Sequence, residues 1–172
     1  MSTSVDLTTM ATEVMVGFDA PIQAVWDLLT NVERMAGLGP EHFRARWLTP
    51  GPALGARFEG WNRIGENEWD VVCVVTECRP PEFIEWNVGV GPLPSSTWSY
   101  LLTSDGESST RVTQRFRHGP GRSGVSNAIE KYPERASRIV EHRSRELHTN
   151  MTSTLEAAAR LLYDVGDSSG PV

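Results

Sequence analysis

Hydrophobic and polar positions alternate along most of this chain, and the period lengthens in its last third. Val14, Val16 and Phe18 alternate with other residues over 11–19, the pattern of a half-buried first strand. Asp19 is placed to cap a helix whose first turn holds Pro21, where a missing N–H costs nothing. Ile22, Val25, Trp26, Leu28 and Leu29 form its apolar face, and it ends near Asn31. A second short helix is expected from Val32 to Leu38, stopped by Gly39-Pro40. Strand-like runs then follow at Phe43–Leu48, Ala56–Ile64, Glu68–Cys78, Glu82–Val90, Ser96–Thr103 and Thr110–His118, separated by turn residues. After a Gly/Ser-rich link at 119–126, Ile139, Val140, Arg143, Leu147, Met151, Leu155, Ala158 and Leu162 recur at helical spacing. They predict one long amphipathic helix from Pro133 to Tyr163, with a short helical turn at 125–131 before it.

This order predicts an α+β fold: a curved antiparallel sheet of about seven strands around a long C-terminal helix, with two short helices after the first strand. Only the C-terminal helix is long enough to cross such a sheet. A helix laid on a strongly curved sheet leaves an internal cavity, the usual place for a small ligand. Residues 1–10 read as a flexible leader, 11–164 as the ligand-binding domain and 165–172 as a flexible tail. The 119–126 link reads equally as an entrance flap or as a plain connector.

Composition narrows the field. A chain of 172 residues with 39% hydrophobic content has enough apolar side chains for one sizeable core. Sixteen basic against 22 acidic residues leave a net charge of −6, which argues against a nucleic-acid partner. No apolar run approaches the ~18 residues of a membrane span. Met1–Met10 lacks the basic and apolar regions of a secretory signal, so a cytoplasmic location is expected. Cys73 and Cys78, five apart in one strand, should face opposite ways with Cα atoms roughly 16 Å apart. A disulfide needs less than about 7 Å, so both are expected to be free thiols. No metal-ligand spacing is present, and neither metal nor cofactor is expected.

The run Ala20-Pro21-Ile22-Gln23-Ala24-Val25-Trp26-Asp27-Leu28-Leu29-Thr30-Asn31-Val32-Glu33-Arg34 resembles the opening of the START-like superfamily, the helix-grip (SRPBCC) fold. The resemblance continues through Pro50-Gly51-Pro52-Ala53-Leu54-Gly55-Ala56-Arg57-Phe58-Glu59-Gly60, then Val75-Thr76-Glu77-Cys78-Arg79-Pro80-Pro81, and the last strand's Thr110-Arg111-Val112-Thr113-Gln114. It spans residues 12–162 and is nearest to the polyketide cyclase/dehydrase and lipid-transport members. It implies a fold and a pocket, with occupants that range from lipids and sterols to polyketides. The reaction, if there is one, must be argued from the site.

Strand alternation then proposes an inner face of Phe58, Asn62, Trp69, Cys73, Trp86, Trp98, Tyr100, Gln114 and Phe116, joined by Leu147 and Met151 from the long helix. Arg57, Glu59, Trp61 and Arg63 should face solvent, with Trp61 among charged neighbours. An aromatic wall with a few neutral polar groups suits a lipid-like or ring-bearing ligand. For catalysis, Tyr100 is the best inward proton donor, His118 the best inward base, and Arg143 a further polar group with His142 beside it. His42 and His148 read as surface residues. The leading expectation is a binder of a hydrophobic small molecule, monomeric or homodimeric. The rivals are a polyketide cyclase/dehydratase-type enzyme and an interaction module resembling chaperone activators.

Overall fold

The computed structural model describes residues 5–167; residues 168–172 of the expected tail and 1–4 of the leader lie outside it, while 165–167, expected in the tail, belong to the last helix. Seven antiparallel strands form one sheet in the order β1-β7-β6-β5-β4-β3-β2. They are β1 (Ala11–Phe18), β2 (His42–Trp47), β3 (Arg57–Ile64), β4 (Asn67–Arg79), β5 (Phe83–Val88), β6 (Ser96–Ser104) and β7 (Thr110–His118). β1 and β2 are successive in the chain yet occupy opposite edges. The short helices α1 (Ile22–Leu29) and α2 (Val32–Met35) carry the chain between them. This is the helix-grip architecture, completed by α3 (Gly124–Lys131), a 3-10 turn at Pro133–Arg135 and the long α4 (Ala136–Asp167).

Element existence follows the hydrophobic periods closely, and the differences have local causes. Helix α1 begins at Ile22 with Pro21 itself as the N-cap residue and no side-chain cap, so Asp19 does not take the expected role. Helix α2 is one turn, capped by the Asn31 carbonyl oxygen of its side chain, which accepts from the Arg34 amide. The largest departure is in β4. Val75 pairs with Trp86 and Glu77 with the next residue, Glu85, so Thr76 is an extra residue, and this bulge reverses the alternation beyond it. Cys78 therefore pairs with the inward Ile84 and packs against the core. The expectation that the two cysteines face opposite ways fails for that reason. Both remain free thiols.

The core lies at one end of the curl. From Leu147 onward α4 packs on β1 and α1, burying Leu147, Met151, Leu155 and Ala158 in one core with Val14, Phe18, Val25 and Val112. The Thr110 hydroxyl donates to the Ala20 carbonyl at 2.8 Å, locking the start of β7 to the entry of α1. At the opposite sheet edge, the Trp47 indole donates to the Thr30 carbonyl at 3.3 Å, tying β2 to the end of α1. A separate clamp holds the N-terminal half of α4. Arg143 donates from Nη1 and Nη2 to the two carboxylate oxygens of Glu41 at 2.9 and 2.6 Å, and from Nη1 to Glu146 at 2.6 Å. Both Arg143 and Glu41 are about four-fifths shielded from solvent, unlike most other ion pairs of the fold, which are exposed and contribute little.

Leu155 is fully buried where α4 meets the sheet. Leu155→Ala should cost about 3 kcal/mol of unfolding free energy, read as a lowered urea midpoint at unchanged slope.

Candidate functional site

A cavity of about 1150 Å³ separates the concave sheet face from α3 and the N-terminal half of α4. Its wall is built by strand register. Trp47, Phe58, Cys73, Val88, Ser96 and His118 form one row across β2 to β7. The next row inward holds Val75, Trp86, Trp98 and Phe116, and the one below it Cys78, Ile84, Tyr100 and Gln114. Toward the β3–β4 turn, His42, Asn62 and Trp69 form a polar end row. The aromatics meet edge to face along an arc: Trp47–Phe58 at 5.3 Å, Phe58–Trp86 at 6.0 Å and Trp98–Phe116 at 4.9 Å between ring centres.

All the residues expected to touch a ligand line this space: Phe58, Asn62, Trp69, Cys73, Trp86, Trp98, Tyr100, Gln114 and Phe116 from the sheet, Leu147 and Met151 from α4. Trp69 sits at the mouth and is more than one-third exposed. Trp61 points outward, with the Arg44 guanidinium 4.3 Å from its ring centre. His148 is exposed, as read.

The three groups considered for catalysis also border the cavity, but they do not form one constellation. Tyr100 pairs with Gln114, and His118 lies four residues further along β7, about 13 Å away at strand rise. Arg143 is held by Glu41 and Glu146 at the far edge, with three of its N–H groups committed there. Burial alone would pull its guanidinium down, but the Glu41 and Glu146 contacts outweigh this and raise it, so it stays charged. It clamps the mouth as one half of a compensated pair.

Tyr100 and Gln114 are the unusual pair. Tyr100 is buried, and desolvation alone, with no hydrogen bond contributing, pushes its phenol far above the ordinary range. Gln114 is 6% exposed, and its Oε1 atom is buried without a partner, the one such side-chain atom found among the described residues. Such an atom carries a desolvation cost that a bound donor would remove. Higher in the wall, Cys73 is pushed up to about 12 by burial and stays a neutral thiol.

Sequence reading missed four contributors. His42 is half-buried at the cavity mouth, where its Nδ1 lies 3.2 Å from Asn62 Oδ1. It fits there because β3 carries Gly60 beneath it: a Cβ at that position would sit 2.6 Å from the imidazole. The surface assignment of His42 is thus corrected. Glu41, Trp47 and Ser123 are the others, all from turns or an edge strand where alternation gives no signal. The 119–126 link is a pinned connector rather than a free flap. Gly119 and Gly121 donate to Ser95 and Pro94 carbonyls at 2.8 and 2.9 Å. Gly119 leaves no room for a side chain, since its Cβ would lie 2.1 Å from the Pro94 oxygen.

Residues 9–155 match the family model described as polyketide cyclase / dehydrase and lipid transport. The chain belongs to that family. Among solved structures it is similar to a polyketide-cyclase-like protein of Corynebacterium glutamicum, at 24% identity and a TM-score of 0.67, over 95% of this chain and 97% of that one. It is also similar to the Zhui aromatase/cyclase of a Streptomyces species, at 15% identity and a TM-score of 0.71, over 94% and 98%. A third is the di-domain aromatase/cyclase of the steffimycin pathway, at 14% identity and a TM-score of 0.72, where 92% of this chain covers 52% of that one. At these identities the structural likeness establishes the fold. No curated protein sequence matches. No helix among the described residues is long and apolar enough to cross a membrane.

His42 offers a test of the mouth. Burial is the main influence and pulls its imidazole below the ordinary 6.5, against the opposing Asn62 bond and Glu41 charge. The unfolded chain therefore takes up this proton at higher pH than the folded one. The stabilisation is complete above about pH 6.5 and is lost as pH falls through the depressed value. Melting temperatures compared between pH 7.5 and 5 should show wild type losing ground to His42→Gln on acidification. Parallel curves would mean that the ring titrates as an exposed one does.

Proposed function

We propose that this family member binds a hydrophobic, ring-bearing or lipid-like small molecule in the cavity, oriented by a donor group toward which Gln114 turns its amide oxygen. The observation that carries this reading is the unpartnered, buried amide oxygen in a largely apolar, aromatic-rich wall. A natural core of this density keeps few such atoms, and an apolar side chain at position 114 would be the stabler choice for folding alone. The neutral Tyr100 phenol on the adjacent strand supplies a donor for an oxygen on the same ligand. Together they favour a molecule that carries both a hydroxyl or amide donor and a carbonyl or ether acceptor, close together on an apolar frame. A volume of about 1150 Å³ accommodates several fused rings or a folded chain.

A second reading draws on the same pair. A phenol that stays protonated beside a fixed amide can hand a proton to a developing enolate, the step a cyclase or dehydratase must assist. In this version Tyr100 acts without His118, about 13 Å further along the wall, and without Arg143, whose N–H groups are engaged by Glu41 and Glu146. Family membership is compatible with both readings.

Native mass spectrometry before and after adding fatty acids, sterols and aromatic polyketides identifies the ligand class. With the captured ligand, Gln114→Met should weaken binding roughly tenfold while stabilising the protein by about 1 kcal/mol. A variant that binds as tightly as wild type removes Gln114 from the site. Tyr100→Phe distinguishes the two readings: if the protein turns its ligand over, the variant keeps affinity and loses rate. Trp98→Ala should weaken binding by more than it lowers stability.

A further inference from the structure

We infer that Ser123 and His118 form an acyl-transfer dyad at the rim of the cavity, able to hydrolyse an ester or thioester of a hydrophobic acid held inside. The inference goes beyond binding, although it rests on the cavity accepting the apolar part of the substrate.

The protonation pattern follows from the partners. His118 is 3% exposed, and its Nδ1 lies 2.7 Å from the Gly119 carbonyl oxygen, which can only accept. Nδ1 therefore carries the proton, and in the neutral ring Nε2 is the acceptor. Ser123 Oγ lies 2.7 Å from that Nε2, so the serine hydroxyl donates to it. Both residues line the cavity. This is a nucleophile on a base whose tautomer and orientation are fixed by a third group, here a backbone carbonyl in place of a carboxylate. The Ser123 oxygen also accepts from the Ser126 amide at 3.1 Å, which fixes its position, and one lone pair remains. The amides of Gly124 and Val125, next along the chain, open α3 and have no intrahelical acceptor. Free N–H groups at a helix start can stabilise an oxyanion formed beside the nucleophile.

The step balances within these groups. Ser123 Oγ bonds to the acyl carbon while its proton passes to His118 Nε2. Collapse breaks the bond to the alcohol or thiol, which leaves with that proton. Water then attacks the acyl-serine and gives His118 one proton. His118 returns it to Ser123 Oγ as the free acid departs. No further reactant is needed.

Three measurements test this. Decanoate titration by calorimetry reports whether the cavity takes an acyl chain. A decyl fluorophosphonate, followed by peptide mass spectrometry, reports whether Ser123 is nucleophilic. Hydrolysis of p-nitrophenyl decanoate and of a decanoyl thioester distinguishes the two leaving groups. We expect one adduct per chain, on Ser123, absent in Ser123→Ala and formed roughly 100-fold more slowly in His118→Gln. Ser126→Ala breaks the same capping box without touching the dyad, and it should label at the wild-type rate. Decanoate binding without an adduct on Ser123, or ester hydrolysis unchanged in Ser123→Ala, overturns the dyad and leaves the binding reading intact. Equal loss in Ser123→Ala and Ser126→Ala assigns Ser123 to helix capping and also overturns it. Failure to bind any apolar ligand, decanoate included, overturns both.

Discussion

The structure depends on a mismatch of shape: a straight helix cannot touch the whole inner face of a strongly curled sheet. α4 is committed to β1 and α1 through Leu147, Met151, Leu155 and Ala158, so contact is complete at one end and lost toward the other. The sheet does not collapse into the gap because seven paired strands with interlocked aromatic rings hold its curvature. Folding and cavity formation are thus one event. The same packing that anchors α4 from Leu147 onward lifts its first turns from the wall.

A lifted helix end needs a second anchor, and the fold supplies one made of charge. Arg143 and Glu41 join α4 to the turn before β2 through two hydrogen bonds, with Glu146 completing the neutralisation. Such a pair at the mouth of an apolar space fixes distance without filling volume, which a cluster of leucines would do. Its directional bonds also set the helix rotation that faces Leu147 and Met151 inward. The chemistry of the mouth and that of the interior are therefore separate: compensated charge outside, neutral donors and acceptors within.

Much of this was legible in residue order, and the boundary of legibility is physical. Alternation along β3, β5, β6 and β7 assigned the inner wall because a strand's side chains keep period two until something interrupts them. The bulge at Thr76 is such an interruption, and it carried Cys78 to the face that simple counting denied it. His42 and Glu41 follow Gly39-Pro40, where no period operates, and their placement depends on β2 pairing with β3 over Gly60. The contact between Ser123 and His118 was hidden for a similar reason. It spans a turn whose path is fixed by Pro94 and Ser95, which become its neighbours only after β6 and β7 have paired. Local pattern reveals which face a residue takes, whereas long-range pairing decides which residues meet.

The state of Cys73 has a consequence for what the chamber can safely hold. Nucleophilic attack by cysteine requires the thiolate, and burial keeps this sulfur protonated until about pH 12. Enones and quinones alkylate exposed thiolates, yet beside Cys73 they would meet only a weakly polar, unreactive surface. The wall is in that sense chemically passive, and a soft electrophile could lodge there and leave again unmodified.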